Sequence, residues 1–151
     1  MDIASLQDEE ARLIFHRFAE PEALRLGGML VEMGVAGALP IAIDIRSHDR
    51  VLFHASLAGA KPLNDLWARR KGNTALIFQR SSMLVTLLLR EKGQGLDRDG
   101  LSAADYVASG GAVPIRVRGV GVIGVVTVSG LPEMEDHALV VRAMEAMLDA
   151  G

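Results

Sequence analysis

The sequence predicts an α+β fold in which two β-ribbons merge into one antiparallel layer with helices packed on it. Three observations carry that reading. Over Leu39–Leu57 apolar and polar residues alternate in the strand period, and over Gly111–Ser129 short apolar runs flank a glycine-rich turn. Before, between and after these ribbons the apolar residues recur at helical spacing. No low-complexity linker or internal repeat interrupts the chain, so residues 1–151 read as a single domain.

Taken in order, residues 5–19 place Leu6, Ala11, Leu13, Ile14, Phe15 and Phe18 on one side of a first helix, with Ser5 as N-cap. Pro21 suits the first turn of a second helix over 22–33, which Gly34 should stop. In the first ribbon Ile41, Ile43 and Ile45 alternate with Ala42, Asp44 and Arg46, and Val51, Phe53 and Ala55 with Leu52, His54 and Ser56. Joining the two apolar sets requires Ile45 to oppose Val51 across an odd-length turn at Ser47–Asp49. Asp44 and His54 then share the other face as diagonal neighbours.

Residues 59–93 read as two helices. Pro62 opens the first, with Leu63, Leu66, Trp67, Ile77 and Phe78 as its expected apolar side. Ser81 or Ser82 caps the second, and Lys92-Gly93 closes it. At helical spacing Trp67, the only tryptophan, stacks over Arg70 and Lys71. The connector 95–109 should hold a helical turn near Ser102–Val107. Val113–Val117 and Val122–Val128 are strands, and the second is apolar almost without alternation, as a central strand covered on both faces would be. A last helix begins at Pro132-Glu133, where Glu133, Glu135 and Asp136 match the positive end of the helix dipole. Its apolar stripe (Met134, Ala138, Val141, Met144, Leu148) is widened by Leu139, Val140, Ala143 and Met147. That breadth predicts contact with both the sheet and a partner subunit.

Composition narrows the function. A net charge of -3 and a pI near 5.8 exclude a general nucleic-acid binder, which needs a concentrated basic surface. Without cysteine there is no disulfide, thiolate metal site or cysteine nucleophile, which fits a cytoplasmic protein. The acidic start (Asp2, Asp8, Glu9, Glu10) is unlike a signal peptide, and no apolar run approaches the ~20 residues of a membrane span.

Gly119-Val-Gly121-Val-Ile-Gly124 matches the dinucleotide pattern GxGxxG, but it leads into a strand rather than a helix. The glycines serve a hairpin turn and a close backbone approach instead. Ser129-Gly130 lacks the surroundings of a nucleophile elbow, and the four histidines form no HxxxH pair. The richest local cluster is Glu133–His137. There Asp136 and His137 exceed what capping needs, and the imidazole could serve a metal, haem or anion. Gly110-Gly111 lets the main chain pass close to a neighbour or ligand, and Arg116 and Arg118 share a strand face that suits a carboxylate.

The run from Gly110 to Met144, with Gly110-Gly111, Pro114-Ile115, Gly121, Gly124, Val128-Ser-Gly130 and Asp136, resembles the C-terminal signature of the haem-degrading-domain family, the group of GlcG-like and HbpS-like proteins. Trp67-Ala-Arg-Arg-Lys-Gly-Asn-Thr74 and Ser129–His137 are similar to its UPF0303 branch. The chain departs from that branch at Ser109, where relatives tend to carry histidine, and at Gly72, where they often carry a basic residue. The resemblance implies a profilin-like fold with an antiparallel five-stranded sheet, a homo-oligomer, and a small anionic ligand or haem. The implied pocket joins Trp67, Arg70, Lys71 and Asn73 to Gly110, Gly111, Asp136 and His137. His54 or His137 would be the axial ligand to haem iron, and Arg70, Lys71 or Arg116 would meet the propionates. Two alternatives stand beside this reading: a non-catalytic assembly or adaptor protein, and an enzyme using Asp136 and His137 as an acid/base pair on a small carboxylate.

Overall fold

A computed structural model describes residues 1–151. In chain order the elements are α1 (Ile3–Arg12), β1 (Ile14–Phe15), α2 (Glu20–Ala36), β2 (Ala42–Ser47), β3 (Val51–Ser56), α3 (Pro62–Phe78), α4 (Ser82–Lys92), a short 3-10 helix (Leu96–Asp99), β4 (Ala112–Val117), β5 (Gly121–Ser129) and α5 (Glu133–Asp149). The five strands form one sheet in the order β1-β4-β5-β2-β3. Four of them pair antiparallel, but β1 runs parallel to β4, so the sheet is mixed and not antiparallel throughout as expected.

That difference arises where the first helix stops early. α1 is capped by Asp2, with Ser5 returning the bond in a capping box, and ends at Arg12. Ile14 and Phe15, expected in the helix, extend instead beside Arg116 and Val117, and Phe15 is buried in the main core. A β-branched and an aromatic residue that fill a sheet edge this way gain more than they would on a fraying helix end. α2 runs through Gly34 to Ala36 rather than stopping there. Gly34 is wanted inside the helix for closeness, since a Cβ there would sit 2.4 Å from Leu57 Cδ1. The helical turn expected at 102–107 is a single turn closed on the Ser102 carbonyl, and the short helix lies earlier, at 96–99.

The two faces of the sheet differ in kind. α2 and α5 cover one face, and the main core there joins Ile43 and Ile45 of β2, Val113 and Ile115 of β4, Val126 and Val128 of β5, and Leu139, Val140 and Met144 of α5. α3 crosses the other face, whose residues (Ala42, Asp44, Ala112, Val125, Thr127) are small or polar. Such a floor admits only a helix with small side chains below it. α3 accordingly buries Ala68, Lys71, Gly72, Thr74 and Ala75, with Gly72 against Thr127 and Val125. Its expected apolar side is therefore reversed: Leu63, Leu66 and Ile77 are 59%, 46% and 51% exposed.

The first ribbon keeps the predicted faces in a different register. Ile45 opposes Phe53, not Val51, and a bulge then sets Arg46 against Val51, which is left exposed. Asp44 thus lies directly opposite His54 instead of diagonally. β5 is central, as its nearly continuous apolar run implies, and its last six residues are buried. Gly124 sits where a Cβ would meet the Arg46 carbonyl at 2.5 Å, while Gly119 and Gly121, at φ +77 and +107, make the hairpin turn, so the GxGxxG glycines divide between turn and close strand approach. No helix is long and apolar enough to cross a membrane.

Candidate functional site

The end of β5 and the start of α5 meet the middle of α3 at a buried ion pair. Lys71 Nζ donates to Asp136 Oδ2 at 2.8 Å and lies 3.4 Å from the Val128 carbonyl. The two side chains are 3% and 0% exposed. Asp136 also accepts from the Leu131 amide at 2.9 Å and the Gly130 amide at 3.4 Å, so the β5–α5 loop is folded around the carboxylate. Burial pushes the Asp136 carboxyl above its ordinary value, and the Lys71 ammonium and loop amides oppose that rise without cancelling it. Beside the pair opens a cleft of about 260 Å³, walled by Leu63 and Trp67 of α3 and by Ser109, Ser129 and Leu131. Gly111 makes the convergence possible: at φ +137 it passes under the pair, where a Cβ would lie 3.0 Å from Lys71 Nζ and 3.1 Å from Asp136 Cβ.

Of the residues singled out in the sequence, the structure brings Trp67, Lys71, Gly111 and Asp136 together. Arg70 stacks on Trp67, its Cζ 5.2 Å from the ring centroid, but its guanidinium is donated to the Tyr106 carbonyl at 3.3 Å. Asn73 donates to the Asp105 carbonyl at 2.9 Å, so both residues fasten the 105–107 connector to α3. Lys71 leaves the tryptophan for Asp136. The Gly110 amide donates to Glu133 Oε1 at 3.1 Å, giving that carboxylate a role beyond the helix dipole. Arg116 lies elsewhere, bonded to the Gln79 carbonyl.

The two histidines expected as axial ligands sit in separate networks. His137 is fully buried, and its Nε2 is 2.5 Å from Glu9 Oε1 of α1, so it neither pairs with Asp136 nor faces the cleft. His54 Nδ1 is 2.8 Å from Asp44 Oδ2 and its Nε2 is 2.7 Å from Asp65 Oδ1. Arg46 meets Asp44 through two bonds, of 2.6 and 2.8 Å, and Ser56 donates to Asp65. Haem iron needs a donor lone pair facing open space. Both nitrogens of His54 are engaged and His137 is enclosed, so neither fits iron ligation in this conformation. No group of three or more His, Asp or Glu side chains is placed to hold a metal ion.

Nothing in the sequence marked Asp65, Ser56 or Glu9 for these networks. Their partners lie 11, 9 and 128 positions away, and only the fold brings them into reach. The His54 network does have a testable signature. Burial alone would lower the imidazole, but the bonds to Asp44 and Asp65 outweigh it and raise its pKa above the ordinary 6.5. Both ring nitrogens donate only as imidazolium. The contribution to stability is therefore fully present below the unfolded-state value and disappears as pH rises through the raised value. Half-exposed as it is, the clasp should amount to about 1 kcal/mol or less. Denaturant midpoints should fall on that alkaline limb for the wild type and stay flatter for His54→Gln; equal slopes would show that the clasp is not linked to folding.

This arrangement, a mixed five-stranded sheet with helices on both faces, is an architecture found among solved structures. The Ybr137w protein superposes with a TM-score of 0.88 at 29% identity, covering 99% of this chain and 89% of that one. HbpS gives 0.70 at 17% identity, covering 87% and 90%, and the PduOC:haem complex gives 0.72 at 19%, covering 88% and 95%; these two show likeness of fold. The chain belongs to the HbpS-like family of haem degrading proteins, whose pattern it matches over residues 18–145. A UPF0303 protein of Paraburkholderia phymatum is 49% identical over 148 residues, covering 97% of this chain and 90% of its own length. A UPF0303 protein of Streptomyces coelicolor is 44% identical over 147 residues, covering 97% and 93%. The resemblance carried by the Trp67 and Gly110 motifs is thereby established.

Proposed function

We propose that this chain is a ligand-binding member of its family that takes a carboxylate-bearing molecule, the propionate edge of a porphyrin included, in the cleft lined by Trp67, Lys71 and Asp136. The buried Lys71–Asp136 pair at the cleft is the observation that carries this reading. A lysine ammonium has three N–H donors, and only Asp136 and the Val128 carbonyl are within reach inside the protein. The remaining donor, with the hydroxyls of Ser109 and Ser129, suits a carboxylate, and Trp67 and Leu63 suit a planar apolar body. When bound, haem would supply iron chemistry of its own. The protein's part here is to hold an acidic edge against Lys71.

The anion is the feature recognised, so metal-free protoporphyrin IX should bind comparably to hemin. Both should quench the fluorescence of Trp67. In Lys71→Met/Asp136→Asn, which preserves shape and removes the charges, affinity should fall about tenfold or more, the loss of one charge-assisted bond. Absence of binding by either porphyrin, or equal affinity in the double variant, would refute the site. Hemin binding without protoporphyrin binding would transfer recognition to the iron.

A second reading, assembly through a homo-oligomer, is favoured by one observation. Leu63, on the cleft wall, and Leu66, one turn further on, are both exposed at the start of α3. Mass measurement on the same samples reads it directly, a single-chain mass of 16.1 kDa being the result against it.

A further inference from the structure

At the far end of α3 a second cavity is unconnected with the cleft at Trp67. α3 does not end in glycine: Gln79 takes φ +54, and its carbonyl accepts a hydrogen bond from Arg116 of β4. A non-glycine residue in that region persists only where its surroundings hold it, and here β4 does so. The turn delivers Arg80 to the wall of a cavity of about 120 Å³ between the end of α3, α4 and the 3-10 helix. Lys92 and Arg98 line the same wall.

These three cations have no carboxylate within ion-pair distance, although seven of the chain's 16 lysines and arginines do. Asp99 is the one acid on the lining, which leaves a net of two positive charges in a chain whose net charge is -3. Beneath them the floor is carbon, from Phe78, Leu88 and Leu89. Unpaired arginines above an apolar floor combine forked donors for oxyanions with a surface for an apolar body.

We propose that this cavity binds a phosphate monoester of an aromatic or apolar group. A phosphate monoester carries about two negative charges at neutral pH, which matches the excess on the lining, whereas a carboxylate carries one. Arg80 and Arg98 would grip the phosphate oxygens, Lys92 would add a point charge, and the ester group would rest on Phe78 and the leucines.

Titration of the intact protein with phenyl phosphate, followed by calorimetry and by backbone amide shifts, tests the assignment. Phenyl phosphate should bind about tenfold or more tightly than inorganic phosphate or benzoate, with shifts concentrated over 78–99. Arg80→Gln/Arg98→Gln changes only exposed side chains, so melting should be unchanged while affinity falls by about tenfold or more. A phosphotyrosine peptide that binds more tightly than phenyl phosphate would identify a protein-borne phosphate as the source, and weaker peptide binding a free ester. Unchanged affinity in the double variant, shifts centred elsewhere, or benzoate binding as well as phenyl phosphate would overturn the proposal.

Discussion

Lys71→Met is expected to destabilise the fold by about 3–5 kcal/mol, because it leaves Asp136 charged, enclosed and without its cation. The substitution preserves the length and apolar stem of the side chain, so little of the loss can come from packing. The carboxylate keeps only the Leu131 and Gly130 amides, at 2.9 and 3.4 Å. Asp136→Asn on the same background removes the stranded charge while keeping an oxygen for the Leu131 amide. The double variant should therefore recover about 2 kcal/mol or more of the loss. Denaturant unfolding of wild type, both single variants and the double closes the cycle. Additive losses, with no recovery in the double, would mean that the two groups do not sense each other.

Gly111→Ala is expected to lose about 3 kcal/mol or more, because two costs coincide. The backbone at φ +137 lies where L residues rarely go, and the new methyl would meet the Val128 carbonyl oxygen at 2.4 Å. Neither can relax freely, since the Gly111 carbonyl accepts from the Val128 amide at 3.0 Å and pins the strand end. The same change at Gly28, inside α2, meets nothing within 4 Å and should be neutral or stabilising by up to about 1 kcal/mol. Thermal melts of the two variants separate a strained close approach from a simple gain in helix propensity. Similar melting of both would remove Gly111 from the account.

Much of the architecture was legible because it is local. The Ser81 cap and Gly93 stop of α4, the acidic start of α5 and the valine-rich, mostly apolar run of β5 are each decided within a few residues. What escaped depends on partners distant in sequence. β1 is two residues long, too short for any periodicity, and exists because Arg116 and Val117 offer it an edge. By hydropathy the leucines of α3 outweigh its alanines and point to the wrong face. The second sheet face carries Asp44, Thr127 and Ala112, and only the small side of α3 fits against it. The bulge after Ile45 shifted the first ribbon and set Asp44 opposite His54.

The candidate site was legible in composition rather than in pairing. Trp67, Lys71, Gly111 and Asp136 stand out as individual residues, but spacing along the chain points Lys71 to its helical neighbour Trp67 and Asp136 to its chain neighbour His137. Each goes instead to the other, across 65 positions. Burial decides this. An ammonium enclosed on α3 and a carboxylate enclosed at the mouth of α5 must meet, whereas a tryptophan face and an imidazole leave either charge largely unpaired.

A direct test of the cleft is the indole N–H resonance of Trp67, the only one the chain can give. Addition of protoporphyrin IX should move that cross-peak in the wild type, to saturation, and leave it nearly in place in Lys71→Met/Asp136→Asn. A porphyrin that binds while the peak stays fixed, or that moves it equally in the double variant, would contradict a ligand seated against the Lys71–Asp136 pair.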